Sequence, residues 1–299
     1  NRFIRTDSGR PLSSWIRNFS PNGMSAPISS GFHFSRWTLF LSTALLAILT
    51  ASPLVWMISA AFKQPAEIFN SSLIPQHPTL ENFRYVFTQL PFVRYVLNTF
   101  FIAGTITVVA LFFHSMAGFA FARLKFPGRD VIFLSIFSTF LVSLPVIIVP
   151  LFILVQRLGM VNNYAGLIVP AIFNAFGIFL LRQFYLGIPS ELQEAAIIDG
   201  ASYWGIYWNI MLPLSRPILS ALAVFFFLVN WNAFLWPLTI TTNQDLWVVQ
   251  VAIASFQNQY SGSWNYIMAA SAVVALPTLL LFFFFQRQLV ESIKTTGLK

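Results

Sequence analysis

The chain has 299 residues, of which 57% are hydrophobic, 9% are charged and 34 are phenylalanine, and its 17 Lys and Arg against nine Asp and Glu give a formal net charge of +8. An aqueous globular fold of this composition would expose more contiguous apolar surface than water tolerates, which excludes an ordinary soluble domain. Cysteine is absent, which excludes disulfides, thiol chemistry and Cys-ligated metal.

Residues 1–36 are rich in Ser, Pro, Gly and Arg and lack the apolar stretch of roughly 7–15 residues that a cleavable signal peptide needs. They predict a disordered basic tail close to anionic lipid. Residues 37–299 then form the membrane domain. Charge-free runs long enough for helical crossing, which takes about 20 residues, lie at 37–62, 95–122, 131–156, 158–181, 217–240 and 264–286. They do not alternate as barrel strands do. The expected fold is all-α, a polytopic membrane helix bundle with six transmembrane helices.

Between the first two runs, Pro65, Pro75, Pro78 and Pro91 alternate with apolar residues, predicting a short segment lying on the bundle. The next connection, FARLKFPGRD at 121–130, is basic and turns at Pro127-Gly128. Pro145 and Pro150 in the third run predict a kinked helix with freed carbonyls. Lys and Arg set the orientation. Arg2, Arg5, Arg10, Arg17, Arg36, Arg123, Lys125, Arg129, Arg182, Arg216, Arg287, Lys294 and Lys299 fall on one side, and only Lys63, Arg84, Arg94 and Arg157 on the other. Both termini are therefore expected in the cytoplasm, and the positive charge reflects topology rather than nucleic-acid binding.

No phosphate-cradling GxxxxGK[ST], no GxSxG and no HExxH occurs, and His33, His77 and His114 are isolated, so no catalytic or metal site is expected. No Asp, Glu, Lys or Arg lies in any of the six runs, whereas ion-coupled carriers place ionisable groups there. His114 is the one candidate relay, and hydrogen-bonded packing is the preferred reading of it.

Three of the nine carboxylates, Glu191, Glu194 and Asp199, cluster between two apolar runs in ELQEAAIIDGASYWGIYWNIMLPLSRP, residues 191–217. Ser190 and Gln193 have capping-box spacing, predicting a helix that begins at Glu191. Its acids suit the positive helix end, Ala195 and Ala196 offer a small face, and Gly200 ends it. A second helix follows, striped by Trp204, Tyr207, Trp208 and Met211 and ended by Pro213. An interfacial pair of helices with merely solvated acids is the plain alternative.

Glu194, Ala195, Ala196, Asp199, Gly200 and Ala201, followed by Ile210, Leu212, Pro213 and Pro217, resemble the EAA loop of ABC importer membrane subunits. FARLKFPGRD, NWNAFLWPL and the C-terminal FFFFQRQLVESIKTTGLK are similar to the carbohydrate branch of these permeases, the one typified by the smaller maltose-transporter subunit. This resemblance, from about residue 37 to the end, implies the five-helix core of type I importers plus one N-terminal span. It also implies a coupling-helix loop at 190–216 seated on a cytoplasmic ATPase through Glu191, Glu194, Ala195, Ala196, Asp199, Gly200, Ala201, Ile210 and Pro213. The implied partners are a second homologous permease, two ATP-binding subunits carrying the ATP and magnesium, and an extracytoplasmic sugar-binding protein in a bacterial cytoplasmic membrane. A secondary carrier or channel is the rival, explaining the acidic loop poorly; an intramembrane enzyme is a more distant one.

With the fifth run read as one helix, Asn230 and Asn232 point roughly 200° apart, so only one lines a central pathway. Asn232 then shares a face with Trp236, an amide for sugar hydroxyls beside an indole for the ring face. Asn230 is left as glue between helices, worth about 0.6–2 kcal/mol, and Asn174 suits either role.

Overall fold

The computed structural model describes residues 36–70, 72–259 and 263–296, so the basic tail lies outside the described residues. Every regular element among them is helical: α1 (Arg36–Ala61), α2 (Glu81–Thr88), α3 (Phe92–Arg123), α4 (Arg129–Ser138), α5 (Leu144–Arg157), α6 (Tyr164–Ile172), α7 (Ala175–Leu186), α8 (Ser190–Ile198), α9 from Tyr203–Ile206 through a π turn at Tyr207–Met211 to Leu212–Leu214, α10 (Arg216–Trp231), α11 (Leu235–Ile240), α12 (Val249–Gln259) and α13 (Trp264–Thr296). Short 3-10 turns occupy several connections.

Among the described residues four stretches are long and apolar enough to cross a bilayer: Trp37–Ala61, Phe92–Arg123, Tyr164–Leu186 and Trp264–Phe285. Two more are bent pairs, Arg129–Leu141 with Leu144–Arg157 at 106° and Tyr203–Leu214 with Arg216–Trp231 at 73°. The expected six is therefore the upper count, reached when each bent pair is one span.

The bends also fall elsewhere than the proline pattern suggests. Pro145 sits in the first turn of α5, where its missing N–H would have no helical partner in any case, so it opens a helix and the chain turns before it, at Val142 and Ser143. Pro150 lies inside α5 without ending it. The fourth run breaks at Phe173 and Asn174. The fifth stops at Trp231 and resumes only at Leu235. The turn before α4 forms as expected, with Gly128 at φ 77°. The connection after α11 holds a further helix, α12, which a search for bilayer-length runs passes over.

The chain divides into two units at Pro53. Of the first, residues 36–53 are described. They are helical, their apolar side chains are exposed, and Ser42, Thr43, Thr50 and Ser52 bond back to carbonyls of their own helix. Such a surface suits hydrocarbon, which cannot satisfy a free hydroxyl.

In the second unit α3 is the shared spine. Phe92 and Tyr95 at its N-terminal end pack with Val86 of α2, Trp231 of α10 and the buried faces of α12 and α13. Ile102 and Ile106 pack with Val155, Leu167, Trp236 and Ile240. Phe119 and Ala122 at its C-terminal end pack with Leu181 and Tyr185 of α7, Ala196 of α8, and Ile206, Tyr207 and Met211 of α9. Phe100, Phe101, Val108 and Phe113 on its other side are exposed. Lipid offers no hydrophobic drive between helices, so close fit and internal hydrogen bonds hold them. Asn98 donates to the Asp245 and Trp247 carbonyls and accepts from Tyr164, and Asn265 donates to Asn82, which in turn donates to the Ala61 and Lys63 carbonyls. The connection between α1 and α2 is pinned in the same way: the buried Lys63 ammonium donates to the Asn70 and Ser72 carbonyls.

Candidate functional site

Two regions carry the predicted residues: the acidic loop and a cavity among the spans. In the loop, α8 begins one residue earlier than the capping-box pattern implies. Pro189, at φ −54° and ψ 136°, takes the N-cap position, Ser190 is already helical, and no side chain caps the helix. Its other end follows the sequence reading closely. Gly200 has φ +82°, its N–H donates to the Ile197 carbonyl at 3.0 Å, and the Ala201 N–H donates to the Ala196 carbonyl at 2.9 Å. That pair of bonds is a Schellman motif, which closes the orphan carbonyls of the last turn.

Glu191, Glu194, Ala195, Asp199, Gly200 and Ala201 are all exposed, and among the described residues no Lys or Arg pairs with the three acids. The small-residue face is split. Ala195 points outward, whereas Ala196 is 8% exposed and seats the helix on the core. Composition did not single out the isoleucines, yet Ile198 is 85% exposed beside the acids. The outward surface of α8 thus combines unpaired negative charge with a protruding apolar side chain.

The aromatic stripe of α9 divides too, because the π turn shifts its phase. Tyr207 and Met211 are buried, and Trp204 and Trp208 are exposed. Ile210 is half-buried against the same core, and Pro213 lies exposed in the last turn before the chain bends at Ser215. Three polar links fasten this loop to the spans. The Tyr207 and Ser115 hydroxyls share a hydrogen bond at 2.6 Å, and those of Tyr185 and Ser215 share one at 3.2 Å. Arg123, at the end of α3, donates from Nε to the Tyr185 carbonyl at 3.1 Å and from Nη2 to the Tyr185 and Ile188 carbonyls. Arg182 donates to Asp130 at 3.4 Å and lies 4.2 Å over the Phe133 ring.

The second region is a cavity of about 600 Å³ walled by α3, α5, α6, α7, α10 and α11, largely apolar, with Thr99, Thr139, Asn174, Asn230 and Trp236 among its lining. Asn174 and Trp236 are therefore brought together. Asn232 is not among the lining residues, and the shared face expected for Asn232 and Trp236 is not realised. The physical reason is the break after Trp231: Asn232 lies in the turn, exposed, donating to the Leu228 carbonyl and accepting from Gln250. Trp236, on the separate α11, is 7% exposed and donates from Nε1 to the Gly166 carbonyl at 3.0 Å. Asn230, read from sequence as helix glue, donates back to the Phe226 carbonyl at 2.8 Å and lines the cavity. Asn174 caps α7, accepting from the Phe176 N–H at 3.0 Å. A few polar groups in a mostly apolar concavity is the usual make-up of a small-molecule site.

Comparison with known proteins places this geometry. The family model described as "Binding-protein-dependent transport system inner membrane component" matches residues 114–295. The Arabinooligosaccharides transport system permease protein of Halalkalibacterium halodurans is 34% identical over 268 residues, 88% of this chain and 96% of that protein. The sn-glycerol-3-phosphate transport system permease protein of Escherichia coli is also 34% identical, over 87% of this chain and 95% of its own length. The Lactose transport system permease protein of Rhizobium radiobacter is 30% identical over 83% and 91%. The fold is shared with a chain from the crystal structure of a bacterial ABC transporter involved in the import of the acidic polysaccharide alginate, with TM-score 0.76 and 20% identity over 85% of this chain and 98% of that one. The chain belongs to the binding-protein-dependent transport system inner membrane components, a family of multi-pass permease subunits.

Proposed function

We propose that this chain is the carbohydrate-conducting permease subunit of an ATP-driven importer in a bacterial cytoplasmic membrane, with both termini on the cytoplasmic side. It works beside a second homologous permease and two ATP-binding subunits, and it receives its cargo from an extracytoplasmic sugar-binding protein. ATP and magnesium bind on the partner subunits and not on this chain. The observation that carries the reading is α8: a short helix closed by a Schellman motif, with unpaired acids and an apolar side chain facing outward and polar links rooting the loop in the spans. Such a helix suits a groove that offers basic and apolar contacts. The printed names of the relatives, transporters of arabinooligosaccharides and lactose among them, support a carbohydrate as cargo.

The test is to co-express the chain with the products of its neighbouring genes, purify through a tag on this chain, and measure ATP-dependent sugar uptake in proteoliposomes. An ATPase should co-purify and uptake should require it. A secondary carrier would come down without an ATPase and transport without nucleotide.

Orientation has its own check. A reporter fused after Gly128 or Gly200 should be active in the cytoplasm, and one fused near Asn243 should be exported. Cytoplasmic activity at Asn243 would invert the assignment made from the basic residues.

Asn174, Asn230 and Trp236 are the residues proposed to meet the sugar, the amides through its hydroxyls and the indole as an apolar wall. Losing one such hydrogen bond costs about 0.5–1.5 kcal/mol, so Asn230→Ala should lower uptake by a factor of roughly 2–10 with assembly intact. Asn232→Ala, off the cavity lining, should transport close to the parent rate. The opposite ranking would return the pathway to the face of Asn232.

A further inference from the structure

His114 lies within the long helix α3 and is only 2% exposed. Its Nε2 accepts the backbone N–H of Asn174 at 3.1 Å. That N–H belongs to the break between α6 and α7, where Phe173 has ψ 118° and Asn174 has φ −143° and ψ 109°. The extended backbone there removes the helical acceptor the amide would otherwise have. The Asn174 side-chain oxygen accepts from the Phe176 N–H instead. The acceptor comes from another helix, α3.

Room for the imidazole is provided by Gly177, one turn into α7. A Cβ there would fall 2.5 Å from His114 Nδ1 and 2.6 Å from Phe226 Cζ, closer than side-chain carbons approach. The ring stands edge-on to Phe226, with centroids 5.5 Å apart. With Nε2 accepting, the ring proton sits on Nδ1, which is buried and makes no hydrogen bond of good geometry, the Ile172 carbonyl being the backbone group near the ring. A leucine would fill similar space without that poorly bonded donor, so the histidine is not explained by packing alone. What it does uniquely is hold the break. Asn174 and Ala175, on the far side of that break, line the cavity, as do Phe173 and Phe226.

We infer that His114 is a positioning residue: it latches the α6–α7 break through the Asn174 N–H and thereby fixes the wall of the cavity. The inference rests on the transport reading of that cavity, and the experiment separates the two.

The chain has no cysteine, so Phe173→Cys, at a 55% exposed position in the break that lines the cavity, gives a single thiol. Its labelling rate with a methanethiosulfonate reagent reports the geometry of the wall without reference to any substrate. In that background the complete importer is prepared with His114→Gln, which keeps an acceptor, with His114→Leu, which does not, and with Gly177→Ala, which displaces the ring. For His114→Gln, labelling and sugar uptake should stay within about twofold of the parent. His114→Leu and Gly177→Ala should each change the labelling rate by about fivefold or more and lower uptake by about tenfold in assembled complexes, as hinge changes do. Parental labelling and uptake in His114→Leu would overturn the inference, as would His114→Gln behaving like His114→Leu. If labelling shifts as expected but the parent complex imports no carbohydrate, the latch stands and the transport reading falls.

Discussion

Gly200→Leu is expected to abolish coupled uptake while leaving the chain inserted in the membrane and its partners bound. Gly200 has φ +82° and a Cβ there meets no atom within 4 Å. The penalty is therefore one of backbone conformation, not of space, and amounts to about 1–2 kcal/mol for an L-residue held left-handed. The chain can avoid it by opening the Schellman bonds from Gly200 and Ala201 to Ile197 and Ala196, and then α8 no longer keeps a fixed angle to α9. Because ATP is proposed to act from a partner subunit, its binding biases this chain only through a contact whose free energy differs between the two states. A frayed α8 transmits less of that difference. Substrate-stimulated ATP hydrolysis and uptake in proteoliposomes should both be lost, with sugar binding to the binding protein unchanged. Gly200→Asn is the control, since asparagine tolerates the left-handed region and should retain most activity. Glu194→Ala, removing an exposed acid that has no internal partner among the described residues, should impair coupling without disturbing the fold. Wild-type rates in Gly200→Leu and Glu194→Ala together would make the loop an interfacial anchor.

What the sequence disclosed about this loop was local information. The Gly at C′ sets the end of α8 through its own φ and through bonds spanning three and five residues, so the signal and its consequence lie side by side in the chain. The N-terminal reading failed for an equally local reason: Pro189 already has the extended conformation of an N-cap, and it displaced Ser190 from that role. The bilayer-length runs were legible because hydrocarbon thickness sets a length and forbids charge.

The cavity was not legible, because its shape depends on where the helices break, and distant residues fix the breaks. The gap at Asn174 is satisfied by His114, sixty residues earlier. The end of α10 is held by Trp231, whose Nε1 donates to the Val274 carbonyl of α13, and the placement of α11 by Trp236 donating to Gly166 of α6. Assigning faces on an unbroken helix therefore paired Asn232 with Trp236 and set Asn230 aside. A three-residue interruption was enough to reverse which amide meets the cavity.

Arg123→Met is expected to cut uptake per ATP hydrolysed about tenfold, the second large effect, by loosening the root of the loop. The Arg123 guanidinium reaches the carbonyls of Tyr185, in the last turn of α7, and of Ile188, just beyond that helix, from the end of α3. Ile188 is two residues before α8. This one side chain therefore ties the start of the acidic helix to the helix that also lines the cavity through Thr99, Ile102 and Ile106. Hydrogen bonds to a charged group contribute about 1.5–3 kcal/mol when made, and losing them leaves the Tyr185 carbonyl only its backbone N–H partners. Lysine keeps the charge but not the fork that spans two carbonyls, so Arg123→Lys should be nearly as impaired as Arg123→Met. Tyr185→Phe, which removes only the hydroxyl contact with Ser215, should be milder. Assembly measured by co-purification should be unchanged in all three, which separates a loss of transmission from a loss of folding. If Arg123→Met imports sugar at the parent ratio to ATP hydrolysed, the motion of α8 reaches the cavity by another route, and the direct bond from α9 to α3 between Tyr207 and Ser115 is the remaining physical link that fits.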